Sequence, residues 1–578
     1  MSAYDKAVAE LAENEKQWEA FESDGHCAVL APPGSGKTKL LTTKLARHLL
    51  NGDIRSPQGL ACITMTNDAA FELRRRLAEL GVHSRATIFI GTVHSFALGR
   101  IILPFAKAAG NTGLAESRFA TNSELDQAFV EAFDRSTFLS YERATVRATV
   151  NRVRQRLDYS GDIRLGGPRI AQLALEMNRI LDERGIYEFR DVIRHAVNLV
   201  EDNEWVRRVL SASYSRVFVD EYQDLAPGLD RIVRGITLSP ETNSTLFAVG
   251  DPDQAIYGFS GAHPELLRHL AMEINPINLE RNYRSGTGII SAALKALGET
   301  RSVISDKPGG SVEIHSAPGG VPAQTQKVLE LVVHEATRGI AYDQIAVLAP
   351  WGSDRDVIVK YLRSSGVPAF ARSNDDWEPV PITLLLENMA VWSASSNAHE
   401  LASRLRELDS VLRGQSDHSI RRDVVQLMLD YPRSSSASGF VERFCDITLD
   451  IVSKMSDSED ARELHRMKTA LHPGGAAAHM MLADLGSRAR APGHVYVSTV
   501  HAAKGLEFDC VVLAGADNAG LPGFNPSDDE IAEARRKFYV SITRARDRVH
   551  IVYTDMRVAK SGRPYPVTPS PFLGELGI

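Results

Sequence analysis

Residues 31–38 read Ala-Pro-Pro-Gly-Ser-Gly-Lys-Thr, directly behind the apolar run Cys27 to Ala31 and directly ahead of a helical pattern. A strand that ends in a glycine-rich turn and opens a helix turns its backbone amides toward one point, where an anion is favoured. Gly34 and Gly36 let that backbone close around phosphate oxygens. Lys37 would then reach the β- and γ-phosphates, and Thr38 would ligate Mg²⁺. Ala31, Pro32, Pro33, Ser35 and Lys39 complete the candidate ATP-binding segment. Position 31 is Ala where the strict pattern has Gly, so a glycine-rich turn without a ligand is the competing reading.

A second feature narrows the choice. The run Val217-Phe-Val-Asp-Glu-Tyr-Gln-Asp224 delivers Asp220 at the end of an apolar strand, where a carboxylate can hold Mg²⁺. Glu221, next in line, could orient and deprotonate an attacking water. Alone, such an acidic pair could equally be a helix N-cap. Paired with the upstream loop it reads as the acidic half of a nucleotide site.

Short apolar runs recur between helical patterns, as in parallel α/β sheets buried on both faces. The first set is Cys27 to Ala31, Ala61 to Thr66, Ile88 to Gly91, Val217 to Asp220 and Leu246 to Gly250. The second is Val312 to His315, Ile345 to Ala349, Val495 to Val500, Cys510 to Ala514 and Val549 to Tyr553. Each set is interrupted by a helical stretch. The expected plan is α/β, with a first domain of 1–104 and 211–278, and a second of 279–392 and 491–578. Helical insertions occupy 105–210 and 393–490.

Composition excludes other classes. No run of about eighteen apolar residues is present, so no membrane span is expected. The N-terminus is polar and lacks a signal-peptide core, and the four cysteines form no CxxC pair. That argues against a zinc site or a disulfide framework, and a cytoplasmic location is expected. A net charge of −7 speaks against a passive DNA coat, but not against a motor that holds one strand in a local groove.

Further motifs give the chain a resemblance. DEYQD at 220–224, VGDPDQAIYGFSGA at 249–262, LERNYRS at 279–285, STVHAAKGLEF at 498–508 and EARRKFYVSITRAR at 533–546 resemble motifs of UvrD/Rep-type superfamily 1 DNA helicases. So do TMTNDAAFELRRR at 64–76 and GTVHSF at 91–96, and Asn14 and Gln17 match an adenine-reading N-x-x-Q. The motifs keep family order over nearly the whole chain. The resemblance implies two RecA-like domains and an ATP-driven, 3′-to-5′ motor on single-stranded and junction DNA.

It also implies roles. Gln17 would bond the adenine edge while Tyr283 stacks on its face. Gln254 would sense the γ-phosphate or the attacking water. Arg284 and Arg544 would reach the transferring phosphoryl from the second domain, and Glu507 would contact the ribose or triphosphate. On the DNA side, Tyr257, Phe259 and Phe508 would stack bases by motif position, although pattern alone favours a core place for Phe259 and Phe508. Thr66, Asn67, Thr92, His94 and His501 would meet the DNA backbone. Arg143, Arg147, Arg152, Arg154 and Arg156 suit either a grip on duplex phosphates or a solvated helix face.

Some positions depart from the family. Lys39 stands where an arginine is usual, Met65 replaces an aromatic, and Ser260 replaces an arginine. The second insertion is also short. The compact build, Ser260 and the short second insertion resemble the helicase subunit of Gabija-type anti-phage systems, so the alternative expectation is a nucleotide-switched DNA sensor that serves a nuclease partner. No nuclease motif is found in the chain itself. A metabolic P-loop kinase would leave the later motifs without a task.

Overall fold

A computed structural model describes residues 2–577 except 55–56, 66, 83–86, 163–165, 189, 257–262, 300–302, 372–376, 378–379, 396–397, 413–414, 432–434, 456–458, 487–492 and 560. The chain divides into two units. Unit 1 is Met1–Thr287 with Glu299–Pro308 and Ala532–Tyr539; unit 2 is Gly288–Gly298, Gly309–Ile531 and Val540–Ile578.

Unit 1 is built on six strands: β1 (Cys27–Leu30), β2 (Gly59–Thr64), β3 (Ile88–Thr92), β4 (Tyr214–Val219), β5 (Thr245–Gly250) and β6 (Asn275–Asn278). They form one sheet in the order β3-β2-β4-β5-β1-β6, parallel throughout. Residues alternate between the two faces, as the pleat requires. Cys27, Val29 and Phe218 pack on one side with Leu41, Leu45 and Leu73, whereas Ala28, Val217 and Val219 pack on the other with Val192, Ile232 and Val233. Because all strands run one way, their C-terminal ends share one edge of the sheet. Ligands of open α/β sheets bind at that edge.

The interruption of this sheet contains its own core. Helices Asn122–Asp134, Arg143–Arg156 and Gly167–Glu183 enclose Phe129, Phe133, Val150, Leu173 and Met177. Helices Asp191–Asp202 and Glu204–Ser213 then pack on the sheet, with Val192, Val200, Val206 and Leu210 in its apolar cluster.

Unit 2 repeats the plan with β7 (Ser311–Ser316), β8 (Ile345–Ala349), β9 (Ala369–Phe370), β10 (Val495–Thr499), β11 (Phe508–Ala514) and β12 (Ala545–Tyr553). The order is β7-β12-β11-β8-β10-β9, again parallel. Helices from Pro381–Ser395 through Leu482–Gly486 fill its interruption. All ten expected strands are present. The two that the runs do not announce, β6 and β9, are edge strands, and β6 (Asn-Pro-Ile-Asn) buries only Ile277. An edge strand with a proline carries little apolar signal. No helix among the described residues is long and apolar enough to cross a membrane.

Candidate nucleotide-binding site

The phosphate-binding segment leaves β1 with Ala31 N–H donating to the Gly250 carbonyl at 2.9 Å, and helix Lys37–Leu50 opens at Lys37. Gly34 (φ +73°) and Gly36 (φ +82°) lie in the left-handed region that side chains disfavour. Space imposes the same choice. A Cβ at Gly34 would stand 2.7 Å from Arg284 Cβ and 2.7 Å from Asn282 Nδ2, and one at Gly36 would stand 2.6 Å from Gln17 Nε2. Within the loop, the Ser35 hydroxyl donates to the Pro32 carbonyl at 2.7 Å.

The acidic side of the site comes from the end of β4. Asp220 is buried, its N–H donating to the Ile63 carbonyl at 3.0 Å. Glu221 takes a left-handed conformation, φ +52° and ψ +48°, rare for a residue with a side chain. That turn brings its Oε2 to 3.9 Å from Lys37 Nζ. A polar chain continues behind it. Gln223 Nε2 donates to Glu221, Gln223 Oε1 accepts from the Asp251 N–H at 2.9 Å, and Asp251 Oδ2 accepts from Gln254 Nε2 at 2.8 Å. Gln223, Asp251 and Gln254 are all buried. A side chain at Gly250 would stand 2.2 Å from Gln223 Oε1, so glycine at the end of β5 is what admits this chain.

Burial, and secondly the charge of Glu221, raise the Asp220 carboxyl well above its ordinary range, while Lys37 pulls it back. Two neighbouring carboxyls facing one lysine form a site short of positive charge, and a divalent cation would restore the ionised form. The donor set is right for Mg²⁺: the Asp220 carboxylate with the Thr38 hydroxyl in the first turn of its helix, both hard oxygen ligands.

Residues 279–287, opened as second-domain sequence by the motif reading, pack within unit 1. Leu279 N–H donates to the Leu30 carbonyl and Tyr283 N–H to the Gly34 carbonyl, each at 2.8 Å. Asn282, fully buried, donates to the Pro33 carbonyl at 2.5 Å and accepts from the N–H groups of Arg284 and Ser285 at 2.8 Å each. Arg284 is thus fixed beside the phosphate loop within the same unit. Tyr283 is 38% exposed, with its hydroxyl accepting from Asn14 Nδ2 at 2.8 Å and the Arg281 guanidinium 5.5 Å from its ring. Gln17 is buried and donates to the Ser35 carbonyl at 2.7 Å, so here its amide braces the loop. Lys39 pairs with Glu10 of helix Ala3–Ala12.

In unit 2, Glu507 pairs with Arg546 at 2.7 Å. Arg544 is buried, donating to the carbonyls of Val540 at 3.1 Å and Leu506 at 3.3 Å and to the Thr543 hydroxyl at 3.3 Å. Phe508 is fully buried, its ring stacked 5.4 Å from that of Tyr496. Leading β11 into the sheet interior, it is a core aromatic and presents no face to a base. An exposed aromatic, Trp351, stands just beyond β8 at the C-terminal edge of this sheet. The Arg557 guanidinium lies 4.5 Å from its ring, held by Asp517 at 2.9 Å and Asp354 at 2.8 Å. His501 is half-buried beyond β10.

Of the remaining DNA candidates, Thr92 caps the short helix Val93–Phe96 by accepting from Ser95 N–H at 3.3 Å. Burial lowers the neighbouring His94 imidazole to about 4, so it is neutral. Thr66, Tyr257, Phe259 and Ser260 lie outside the described residues, as does the side chain of Asn67 at the start of helix Asn67–Glu79. The basic stretch divides. Arg147 pairs with Asp126, but Arg154 is fully buried against Asp191 at 2.8 Å and Glu188 at 2.9 Å, so it belongs to a structural ion-pair network and to neither a phosphate grip nor a solvated face. Asn282, Gln223 and Asp251 are site residues that the motif reading passed over, although all three stand inside the quoted motifs.

Two family models match the chain: the UvrD/REP helicase N-terminal domain over residues 13–275, and the UvrD-like helicase C-terminal domain over residues 441–556. The chain is 26% identical to the ATP-dependent DNA helicase UvrD2 of Mycobacterium tuberculosis strain H37Rv, over 99% of this chain and 82% of that protein. It is 25% identical to the ATP-dependent DNA helicase Rep of Escherichia coli K12, with 96% and 92% covered. With the ATP-dependent DNA helicase PcrA of Staphylococcus aureus strain NCTC 8325 it shares 24% identity, with 97% and 86% covered.

Proposed function

The chain belongs to the UvrD/Rep family of ATP-dependent DNA helicases, enzymes that hydrolyse ATP, and from that premise we propose that it is a 3′-to-5′ translocase on single-stranded DNA. The observation that carries the reading is the approach of Lys37 to Glu221, 3.9 Å, with Asp220 beside them and Gln254 tied in through Asp251. This is the equipment of phosphoanhydride hydrolysis: a cation for the transferring phosphoryl, a carboxylate to position and deprotonate water, and an amide behind it. Thr38 and Asp220 would hold a Mg²⁺ ion, which would supply charge neutralisation of the phosphates. Arg284 stabilises the charge spread over the phosphoryl oxygens during turnover, and the family resemblance gives Arg544 the same task.

The DNA path uses Thr66, Asn67, Thr92, neutral His94 and His501 along the backbone, with Tyr257, Phe259 and the exposed Trp351 as base platforms. Stacking on each is worth about 1–3 kcal/mol and is indifferent to sequence, as a motor requires. The four cysteines are free and buried, which fits a reducing, cytoplasmic setting. The test is ATP turnover with and without oligothymidylate. We expect strong stimulation that Lys37→Ala abolishes; turnover that Lys37→Ala leaves intact would refute the site.

A second reading rests on Ser260 and the short second insertion: a DNA-sensing subunit that licenses a partner nuclease and unwinds little by itself. Unwinding of a long forked duplex by the isolated chain would exclude it.

A further inference from the structure

One face of the unit 2 sheet gathers metal-ligand side chains that the ATPase reading does not use. In the parallel pairing of β7 with β12, Glu313 stands opposite His550, and His315 lies two residues on along β7, on the same face. His315 Nε2 is 3.0 Å from His550 Nδ1. Glu313 Oε2 is 3.8 Å from the first nitrogen and 3.7 Å from the second. Bonds of about 2.0–2.2 Å at tetrahedral angles place the ligand atoms of a zinc ion about 3.3–3.6 Å apart, close to this triangle.

The surroundings orient it. Glu335, on helix Gly320–Thr337, lies 3.2 Å from the other nitrogen of His550, Nε2, and is paired with Arg548. An ionised carboxylate there accepts a hydrogen bond, which fixes the proton on Nε2 and turns the Nδ1 lone pair toward His315 and Glu313. Metal-bound histidines are held by carboxylates in this way. Glu335 and His550 are buried, whereas the Glu313 side chain is 52% exposed, which leaves an entry path and room for water as a fourth ligand. Lys327, whose charge reaches His315, is paired with Glu330 at 2.6 Å. Cys510 also lies near Glu335 and His550, where Nε2 carries the proton donated to Glu335 and so offers no lone pair to a metal. Cysteine spacing argues against a zinc site built from thiols and is silent on one built from imidazoles.

The geometry points to a site for a divalent first-row transition metal, Zn²⁺ fitting best, bound by His315 Nε2, His550 Nδ1, the Glu313 carboxylate and water. Bound there, the ion ties the edge strand β7 to β12. The test uses the untagged full-length protein, cleared of metal with chelator, titrated with Zn²⁺ by calorimetry and with Co²⁺ by visible absorption. We expect one equivalent bound, a tetrahedral Co²⁺ spectrum, and a melting temperature raised by Zn²⁺. Both His315→Ala and the exposed-side variant Glu313→Gln should weaken binding at least 10-fold, and Glu335→Gln by about 10–100-fold through loss of orientation. Binding that His315→Ala and Glu313→Gln leave unchanged, or no tetrahedral Co²⁺ spectrum in the wild type, overturns the site.

Discussion

Gln17 Nε2 donates to the Ser35 carbonyl at 2.7 Å, and a Cβ on Gly36 would stand 2.6 Å from that same nitrogen. Helix Glu15–Glu22 is therefore seated directly on the phosphate-binding loop, and only glycine at position 36 leaves room for it. Gly36→Ala must displace Gln17 and hold a left-handed backbone, so binding of a fluorescent ATP analogue is expected to be lost. Gln17→Ala leaves a buried carbonyl unpaired, a cost of about 1–3 kcal/mol. If Gln17 only braces the loop, KM should rise equally for ATP and GTP. A loss confined to ATP would show that Gln17 leaves Ser35 to read the adenine.

Glu221→Gln should retain ATP binding while kcat falls about 10²–10⁴-fold, the usual worth of a positioned general base. Its left-handed backbone is kept by glutamine as readily as by glutamate, so the loss is chemical and not conformational. Normal turnover in this variant would move the base elsewhere.

Asn282 governs Arg284. The Asn282 side chain caps the backbone N–H groups of Arg284 and Ser285 while gripping Pro33 of the loop. Arg284→Ala should lower kcat about 10³–10⁵-fold, as for other arginines that reach a transferring phosphoryl, and Arg284→Lys should not restore it. Asn282→Ala should reproduce part of that loss with Arg284 still present. It should also cost stability of about 1–3 kcal/mol for each buried group left unpaired. Wild-type kcat in Asn282→Ala would separate the two residues.

Asp220 makes the nucleotide-free protein pH-sensitive. Its carboxyl is raised in the folded state, so between the ordinary carboxylate value, about 4, and the raised one the native state binds more protons than the unfolded chain. Stability therefore falls as pH rises from the ordinary carboxylate range toward neutrality. Asp220→Asn removes this term. Its melting temperature, relative to wild type, should climb between pH 5 and 7 without nucleotide, even though Mg²⁺-dependent ATPase is lost. Parallel melting curves across that window would contradict the assignment.

The nucleotide site was legible because its parts are local. A strand, a glycine turn and a lysine need only the eleven consecutive residues from Cys27 to Lys37, and the Asp220–Glu221 pair needs an apolar run before it. What stayed hidden depends on burial. Phe508 reads as a motif aromatic but packs on Tyr496 inside the sheet. Arg154 sits in a basic row but points into a cluster of Asp191 and Glu188 from a helix and loop more than thirty residues away. Gln223 and Asp251 look like filler within their motifs, and only the close packing at Gly250 shows that they link Glu221 to Gln254. Strand β6 lacks an apolar signature because an edge needs little burial, whereas β9 is only two residues, Ala369 and Phe370, both buried but too short a run to read.

The central claim is that ATP hydrolysis at Lys37 and Glu221 drives movement along one DNA strand. Its most direct test is displacement of streptavidin from biotinylated oligonucleotides, run beside ATP turnover on the same DNA. The account predicts ATP-dependent displacement from the 5′ end, little from the 3′ end, and none with Glu221→Gln. ATP turnover stimulated by DNA but without displacement from either end would contradict it.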